Sequence, residues 1–398
     1  MDEPCAERRL LFVANVDWFF RIHFLPLALI LSREGFDVTV AAEDTGQGKR
    51  IREAGLRFLR WPLSRTGTRA AAEFRSFLRI HRLYRSERPE LVHHLGLKAV
   101  TYGSIAARFL GIPAVNMVTG LGSILGGAQG TSRLFLERLL PLALRHPASR
   151  LLVQNRNDRA FFVRRNWVEA EKVVDIGGVG VETERFAFRP EPEAPPVRVM
   201  FAGRMLWDKG VGEFVEAARR LGKPANRAVR FLLVGPADPD QPRSIRPDQL
   251  RAWEREGVVE WLGFREDMPD VLAGGHIVVL PSYYGEGLPK VLMEAASAGR
   301  AVVATDWPGC RDAVLPGETG LLVPPRDPEA LARAVGYLVD HPDIRRSMGR
   351  RARRLALERF GVEQAAGRVK RVYELLLNLE PRMEGCHRLP AGKPEETP

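Results

Sequence analysis

The chain has 398 residues, 45% of them hydrophobic and 27% charged, an ordinary globular composition that excludes a fibrous, low-complexity or wholly disordered protein. That length is too great for one ordinary core and points to two domains of somewhat under 200 residues each. The net charge of +11 is lopsided, because residues 1–190 carry 29 Lys and Arg against 19 Asp and Glu, whereas 191–398 carry 31 against 30.

At the start, "MDEPCAERR" has no apolar stretch behind a basic tip, so no signal peptide is expected. The first strand reads "RLLFVAN" (9–15) and leads into "WFFRIHFLPLALIL" (18–31). Arg21, His23 and Pro26 make that run a buried amphipathic helix rather than a span, and no stretch reaches the roughly 18 uninterrupted apolar residues a bilayer demands. Strands follow at "DVTVAA" (37–42), "RFLRWP" (57–62), "LVHHLG" (91–96), "AVNMVTG" (114–120), "RLLVQN" (150–155) and "KVVDIGG" (172–178), with helical periodicity at 70–88 and 98–110. Residues 51–150 alone hold 16 basic and 5 acidic side chains. Such a field suits an anionic partner, or is a plain solvated basic surface.

"FRPEPEAPP" (188–196) reads as a linker between a first domain, 1–187, and a second, 197–360. The pattern restarts with "VRVMFAG" (197–203), "RFLLVGP" (230–236), "VVEWLG" (258–263), "HIVVLPS" (276–282) and "AVVATD" (301–306). Helices fall at 210–221, 289–298 and 328–339, and a basic helical stretch covers 343–379. Its end, 361–380, is a helix that can pack back on the first domain, and the Pro, Gly and charge-rich tail 381–398 is expected to be disordered. Alternating strands and helices imply α/β architecture, two doubly wound halves facing a cleft at their strand carboxyl ends. Cys5, Cys310 and Cys386 have neither metal-ligand nor redox spacing, so reduced thiols and a cytosolic location are expected.

Chemistry concentrates in "PSYYGEGLPKVLMEAASAGRAVVATD" (281–306). Pro289 suits a first helical position, and the free amides behind it form an anion cradle reinforced by the helix dipole. Glu286 stands ahead of that mouth and Glu294 a little over one turn inside, so each carboxylate can serve hydroxyls on one side of a phosphate group; both also fit as a loop and a helix glutamate. "FAGRMLWDKG" places Arg204 and Lys209 at a facing loop, where they neutralise a diphosphate or merely form loop salt bridges. His93 and His94 end a strand, and Lys98 follows within a turn. "TGLGS" (119–123) allows close backbone approach or is a plain turn. Asp238 and Asp240 in "ADPDQP" sit between prolines, and an exposed turn fits them better than a metal site.

"AGRMLWDKG", "WLGFREDMPDVLAGGHIVVLPS", "YYGEGLPKVLMEAASAGRAVVATDWPG" and "GETGLLVPPRDPEALARAV" resemble, in order and spacing, the nucleotide-sugar domain of retaining family 4 glycosyltransferases with the GT-B fold. "ELVHHLGLKAVTYGSIAARFLGIPAVNMVTGLG" (90–122) is similar to the subgroup that extends lipid-linked oligosaccharides in capsule, O-antigen and N-glycan assembly, including transferases of N-acetylhexosamine to undecaprenyl-diphosphate sugars. The resemblance implies a UDP-sugar donor and no metal or other cofactor. It gives Glu294 the ribose hydroxyls, Glu286 the donor sugar, the amides of Lys290 and Val291 the pyrophosphate, and Arg204 with Lys209 the leaving UDP. Gly203, Gly287 and Leu288 complete the donor side, and His94 is favoured over His93 as a cleft histidine near the transferred sugar. The Gly-free loop "NVDWFF" departs from the wider family and turns Asp17, Arg21 and His23, with His93 and Lys98, toward the acceptor. A lipid-linked acceptor implies a peripheral position on the inner membrane face. Helices rich in Arg and apolar residues at 74–90 and 132–150 suit contact with an anionic membrane surface, or pack their apolar side as core. Two other readings are a UDP-N-acetylhexosamine epimerase and a non-catalytic protein binding anionic polymers, nucleic acid included; neither fits the motif order as well.

Overall fold

In the computed structural model, residues 8–63, 70–122, 131–222, 229–238 and 241–378 are described; the expectations for Cys5, Cys386, Ser123, Asp240 and the tail lie outside them. Two all-parallel sheets form the frame. The first contains β1 (Arg8–Val16), β2 (Phe36–Glu43), β3 (Arg57–Arg60), β4 (Leu91–Leu95), β5 (Ala114–Met117), β6 (Ser149–Val153) and β7 (Val173–Asp175), in spatial order β3-β2-β1-β4-β5-β6-β7. The second contains β8 (Val197–Ala202), β9 (Val229–Val234), β10 (Glu260–Gly263), β11 (Ile277–Leu280), β12 (Ala301–Thr305) and β13 (Gly320–Val323), in order β10-β9-β8-β11-β12-β13. Central strands such as β4, β5, β11 and β12 are buried along their whole length, as continuous apolar runs covered by helices on both faces require. β13, Gly320–Val323, has no counterpart in the sequence reading.

The 18–31 run is two helices, Asp17–His23 and Leu25–Arg33, joined at Phe24. Pro26 is the cause: it lacks the N–H that would bond back to the preceding turn, so it is tolerated in the first turn of a new helix but cannot continue the old one. The basic 343–379 stretch likewise divides into Pro342–Leu355 and Val362–Leu376 around a π turn, Ala356–Phe360.

The linker is strapped to the second domain rather than loose. Arg345, almost fully buried, donates from Nε and Nη2 to the Glu191 carboxylate at 2.9–3.1 Å. Arg300 donates to the carbonyls of Arg189 and Pro190, and His276 holds the carbonyl of Pro192. Burying two guanidinium groups is tolerable because every bond they make ends on an oxygen.

The helix Val362–Leu376 crosses back to the first domain and lies on the helix Leu25–Arg33. Lys370 pairs with Glu34, and the Tyr373 ring stands edge-on to Phe36 and His93. One apolar cluster therefore runs from Phe12, Leu27 and Phe36 through Val369 and Tyr373 to Val278, Leu292 and Met293.

Candidate active site

The sheet order reverses between β8 and β11, so the loops after these strands leave to opposite faces and open a crevice at the carboxyl edge. Gly210 draws the two loops together. It sits at φ +77°, and a Cβ there would fall 2.1 Å from the Pro281 carbonyl oxygen. Tyr283 N then donates to Asp208 O at 2.9 Å. This closeness puts Lys209 Nζ 2.8 Å from Glu286 Oε1, with Ser282 Oγ donating to the same oxygen at 3.1 Å. Lys209 and Glu286 are each largely buried, so their attraction is weakly screened. Arg204 Nη1 stands 3.3 Å from Asp238 Oδ2 on the same rim.

Beyond the loop, the helix Lys290–Ser297 starts one residue later than expected: Pro289 has φ −63° and ψ 120° and is the N-cap, not the first helical residue. Leu292 and Met293 both donate to Pro289 O, which leaves the Lys290 and Val291 amides without intrahelical acceptors. Glu294 lies inside, 3.6 Å from Lys290 Nζ. Burial pushes its carboxyl above the usual range, opposed by the charges of Lys290 and Arg185. Leu288 does not offer its amide to a ligand, because Gln154 Oε1 of the first domain accepts it at 2.8 Å, and Gly287 O is taken by Asn155.

The first-domain residues divide. His23 faces the cleft cations: burial first, then Lys290, Lys209 and Arg204, push its imidazole down to about 3, so it is neutral. Lys290 Nζ donates to Ile22 O beside it, and Arg21 reaches Glu266 of the second domain at 3.5 Å, where Arg50 also pairs. Asp17 is buried, not at the cleft surface. It accepts hydrogen bonds from Trp18 N, Thr45 N, Thr45 Oγ1 and Gln47 N, and so fastens two loops.

The two strand histidines are also away from the cleft, because successive side chains on β4 point to opposite, covered faces. His94 Nδ1 donates to Asn116 Oδ1 and its Nε2 accepts from Tyr84 Oη, both at 2.7 Å, within the first domain's core. His93 lies under the C-terminal helix, bonded to Tyr373 Oη. Burial pushes both imidazoles down, to about 3 for His93 and about 4 for His94. Lys98 is engaged with Glu73 at 2.8 Å. Among the described residues no three His, Cys, Asp or Glu side chains gather as metal ligands.

The sequence reading missed Gln154 and Asn155, which bond across the domain seam to Leu288, Glu286 and Gly287, and Tyr284, whose ring lies against Gly122. Asn155 carried one signal, a strand ending in Asn ahead of a helix, and it is the cap of the helix Arg156–Arg164. Its second partner, in the other domain, left no trace in local sequence. The apolar side of the basic helix Ala70–Glu87 is core, with Ile80 and Tyr84 buried, while Phe74, Arg79, Arg82 and Arg85 are exposed. Among the described residues no helix is long and apolar enough to cross a membrane.

Residues 196–341 match the family described as glycosyl transferases group 1, and residues 9–155 the one described as glycosyl transferase 4-like. The chain is 27% identical over 354 residues to an N,N'-diacetylbacillosaminyl-diphospho-undecaprenol alpha-1,3-N-acetylgalactosaminyltransferase of Campylobacter jejuni, covering 84% of this chain and 91% of that one. It is 22% identical over 357 residues to a UDP-Gal:alpha-D-GlcNAc-diphosphoundecaprenol alpha-1,3-galactosyltransferase of Escherichia coli, covering 86% and 90%. Its fold is similar to that of Anabaena HepE in complex with UDP and glucose, with TM-score 0.75, 18% identity, and coverage of 92% of this chain and 100% of that one.

Proposed function

The chain belongs to the group 1, family 4-like glycosyltransferases of GT-B fold, and from that premise we propose that it moves a sugar, N-acetylhexosamine by preference, from a UDP-sugar to a lipid-linked saccharide in surface-polysaccharide assembly. One observation carries the reading: the Lys209–Glu286 pair ties the loop after β8 to the loop that leads into the helix Lys290–Ser297, whose first amides lack intrahelical acceptors, with Arg204 on the rim and Glu294 within. The pyrophosphate rests on the Lys290 and Val291 amides, where the helix dipole favours an anion. Lys209 and Arg204 stabilise the charge that grows on departing UDP, so no metal is required. Glu286 orients the donor sugar, and Glu294 accepts hydrogen bonds from the ribose hydroxyls. Transfer proceeds with retention by same-face attack: the acceptor oxygen bonds to the anomeric carbon on the face from which UDP departs, and the leaving diphosphate takes the hydroxyl proton, so no protein nucleophile is needed. The undecaprenol-linked acceptors named for the Campylobacter and Escherichia relatives support a lipid-linked acceptor, and we place the chain peripherally on the inner membrane face to reach it.

A screen of UDP- and GDP-sugars for nucleotide release, with and without chelator, tests this. UDP release should persist in chelator, and donor alone should yield no isomerised sugar nucleotide. Glu286→Ala should lose about 100-fold or more in turnover, roughly 3 kcal/mol, while UDP still raises the thermal midpoint. Near wild-type turnover in that variant overturns the assignment.

A further inference from the structure

The loop that carries Glu286 is shaped from the opposite domain. Asn155 is 1% exposed and uses both ends of its amide. Its Oδ1 accepts from Asp158 N at 2.8 Å, capping the helix Arg156–Arg164, while Nδ2 donates across the seam to Gly287 O at 3.0 Å and Glu286 O at 3.3 Å. The cap orients the amide plane, so the donor end is aimed before it meets the loop. Gln154 Oε1 accepts from Leu288 N at 2.8 Å, and Gly122 N donates to Gly285 O at 2.9 Å.

Four glycines make this contact possible. A Cβ at Gly120 would stand 2.3 Å from Gly285 O, one at Gly122 2.4 Å from the Tyr284 ring, and one at Gly287 2.6 Å from Gln154 Oε1. From the far side, a Cβ at Gly309 would meet Gly287 O at 2.2 Å. The loop is thus gripped between domains. The backbone of Glu286 is held by the first domain and its carboxylate by Lys209 and Ser282 of the second.

We propose that Asn155, assisted by Gln154, is a positioning residue that places Glu286 for transfer, so that the catalytic loop takes its working shape only when the two domains are closed on each other. This rests on the transferase reading above. It also assigns a reason for the glycines at 120 and 122, whose missing side chains admit the facing loop. No other side chain can replace Asn155 fully: Asp keeps the cap acceptor but loses the donor, and Ser keeps the cap but cannot reach the carbonyls.

The test compares wild type with Asn155→Ser and Gln154→Leu, using the full chain. Hydrogen exchange of the segment 285–288 is followed without substrate, and kcat, donor KM and UDP affinity are measured with the UDP-sugar that the screen selects. Asn155→Ser should exchange that segment about tenfold faster and lose about 30-fold in kcat, with KM and UDP affinity within about threefold. Gln154→Leu should speed exchange at Leu288. Unchanged exchange in both variants, or kcat within threefold in Asn155→Ser, overturns the proposal. So does a parallel fall of kcat, UDP affinity and thermal midpoint, which marks a merely structural residue. The exchange readout needs no turnover, so an inactive wild type sinks the transferase reading, whereas equal protection in wild type and variants sinks the clamp.

Discussion

Asp158 follows the Asn155 cap by three residues and is 2% exposed, with Oδ2 lacking a hydrogen-bond partner. Burial, aided by the charges of Asp175 and Asp312 and opposed by the bond with Asn155, pushes its carboxyl up to about 7. The folded state then binds a proton that the unfolded chain releases near pH 4. Stability must therefore fall as pH rises between about 4 and 7, by up to about 1.4 kcal/mol per pH unit from this group. Asp158→Asn should flatten urea-unfolding free energy across that window and raise it at pH 8; an unchanged slope removes Asp158 as the cause. His23 behaves oppositely: its imidazole stays neutral in the fold to about pH 3 while the unfolded chain protonates it near 6.5, so stability rises with pH across that window and activity gains no step near neutrality from it. Its cleft position, and the burial of His93 and His94, could not be read locally. A strand alternates its faces, but in a doubly wound sheet both faces are covered, so the carboxyl edge alone meets the ligand.

Glycine turns decide where loops end, and Gly210 is the sharpest case. Gly210→Ala forces an L side chain into φ +77° and drives its Cβ into the Pro281 carbonyl. We expect a stability loss of about 2 kcal/mol or more and at least a tenfold drop in UDP release, because Lys209 immediately precedes this residue. Unfolding titration and the release assay check it, and a variant of wild-type stability would contradict the contact. Strands and most long helices were legible from period and apolar runs. The short helices Gly48–Glu53, Arg156–Arg164, Pro247–Arg255 and Met268–Ala273 were not, since one or two turns carry little periodic signal and owe their stability to packing. Pro26 marked a break that the apolar run around it concealed.

Charge belongs to the molecule rather than to any element. The surplus of basic side chains lies in the first domain, and Arg79, Arg82 and Arg85 are exposed on one helix beside exposed Phe74. Each such Arg near an anionic bilayer contributes about 1 kcal/mol. The protein should therefore cosediment with vesicles containing phosphatidylglycerol at low salt, release at about 0.5 M salt, and ignore neutral vesicles. Replacing the three arginines with glutamate should weaken that binding about 100-fold or more. Equal binding to neutral vesicles would show that charge is not the cause. The domains themselves are joined by the clamped linker, the returning helix and the seam around Glu286.

Two parallel sheets were readable from order and spacing, as was the loop after β8 with Arg204 and Lys209, and so was the strand–turn–helix unit of β11 that carries Glu286 and Glu294, because each is a local event. The partners of that unit were not. Asn155 and Gln154 stand more than 130 positions from the loop they hold, and a hydrogen bond across such a distance leaves no periodicity behind. Only the packing of one domain against the other selects which amide meets which carbonyl, since burial makes each unpaired polar group costly enough to choose its neighbour.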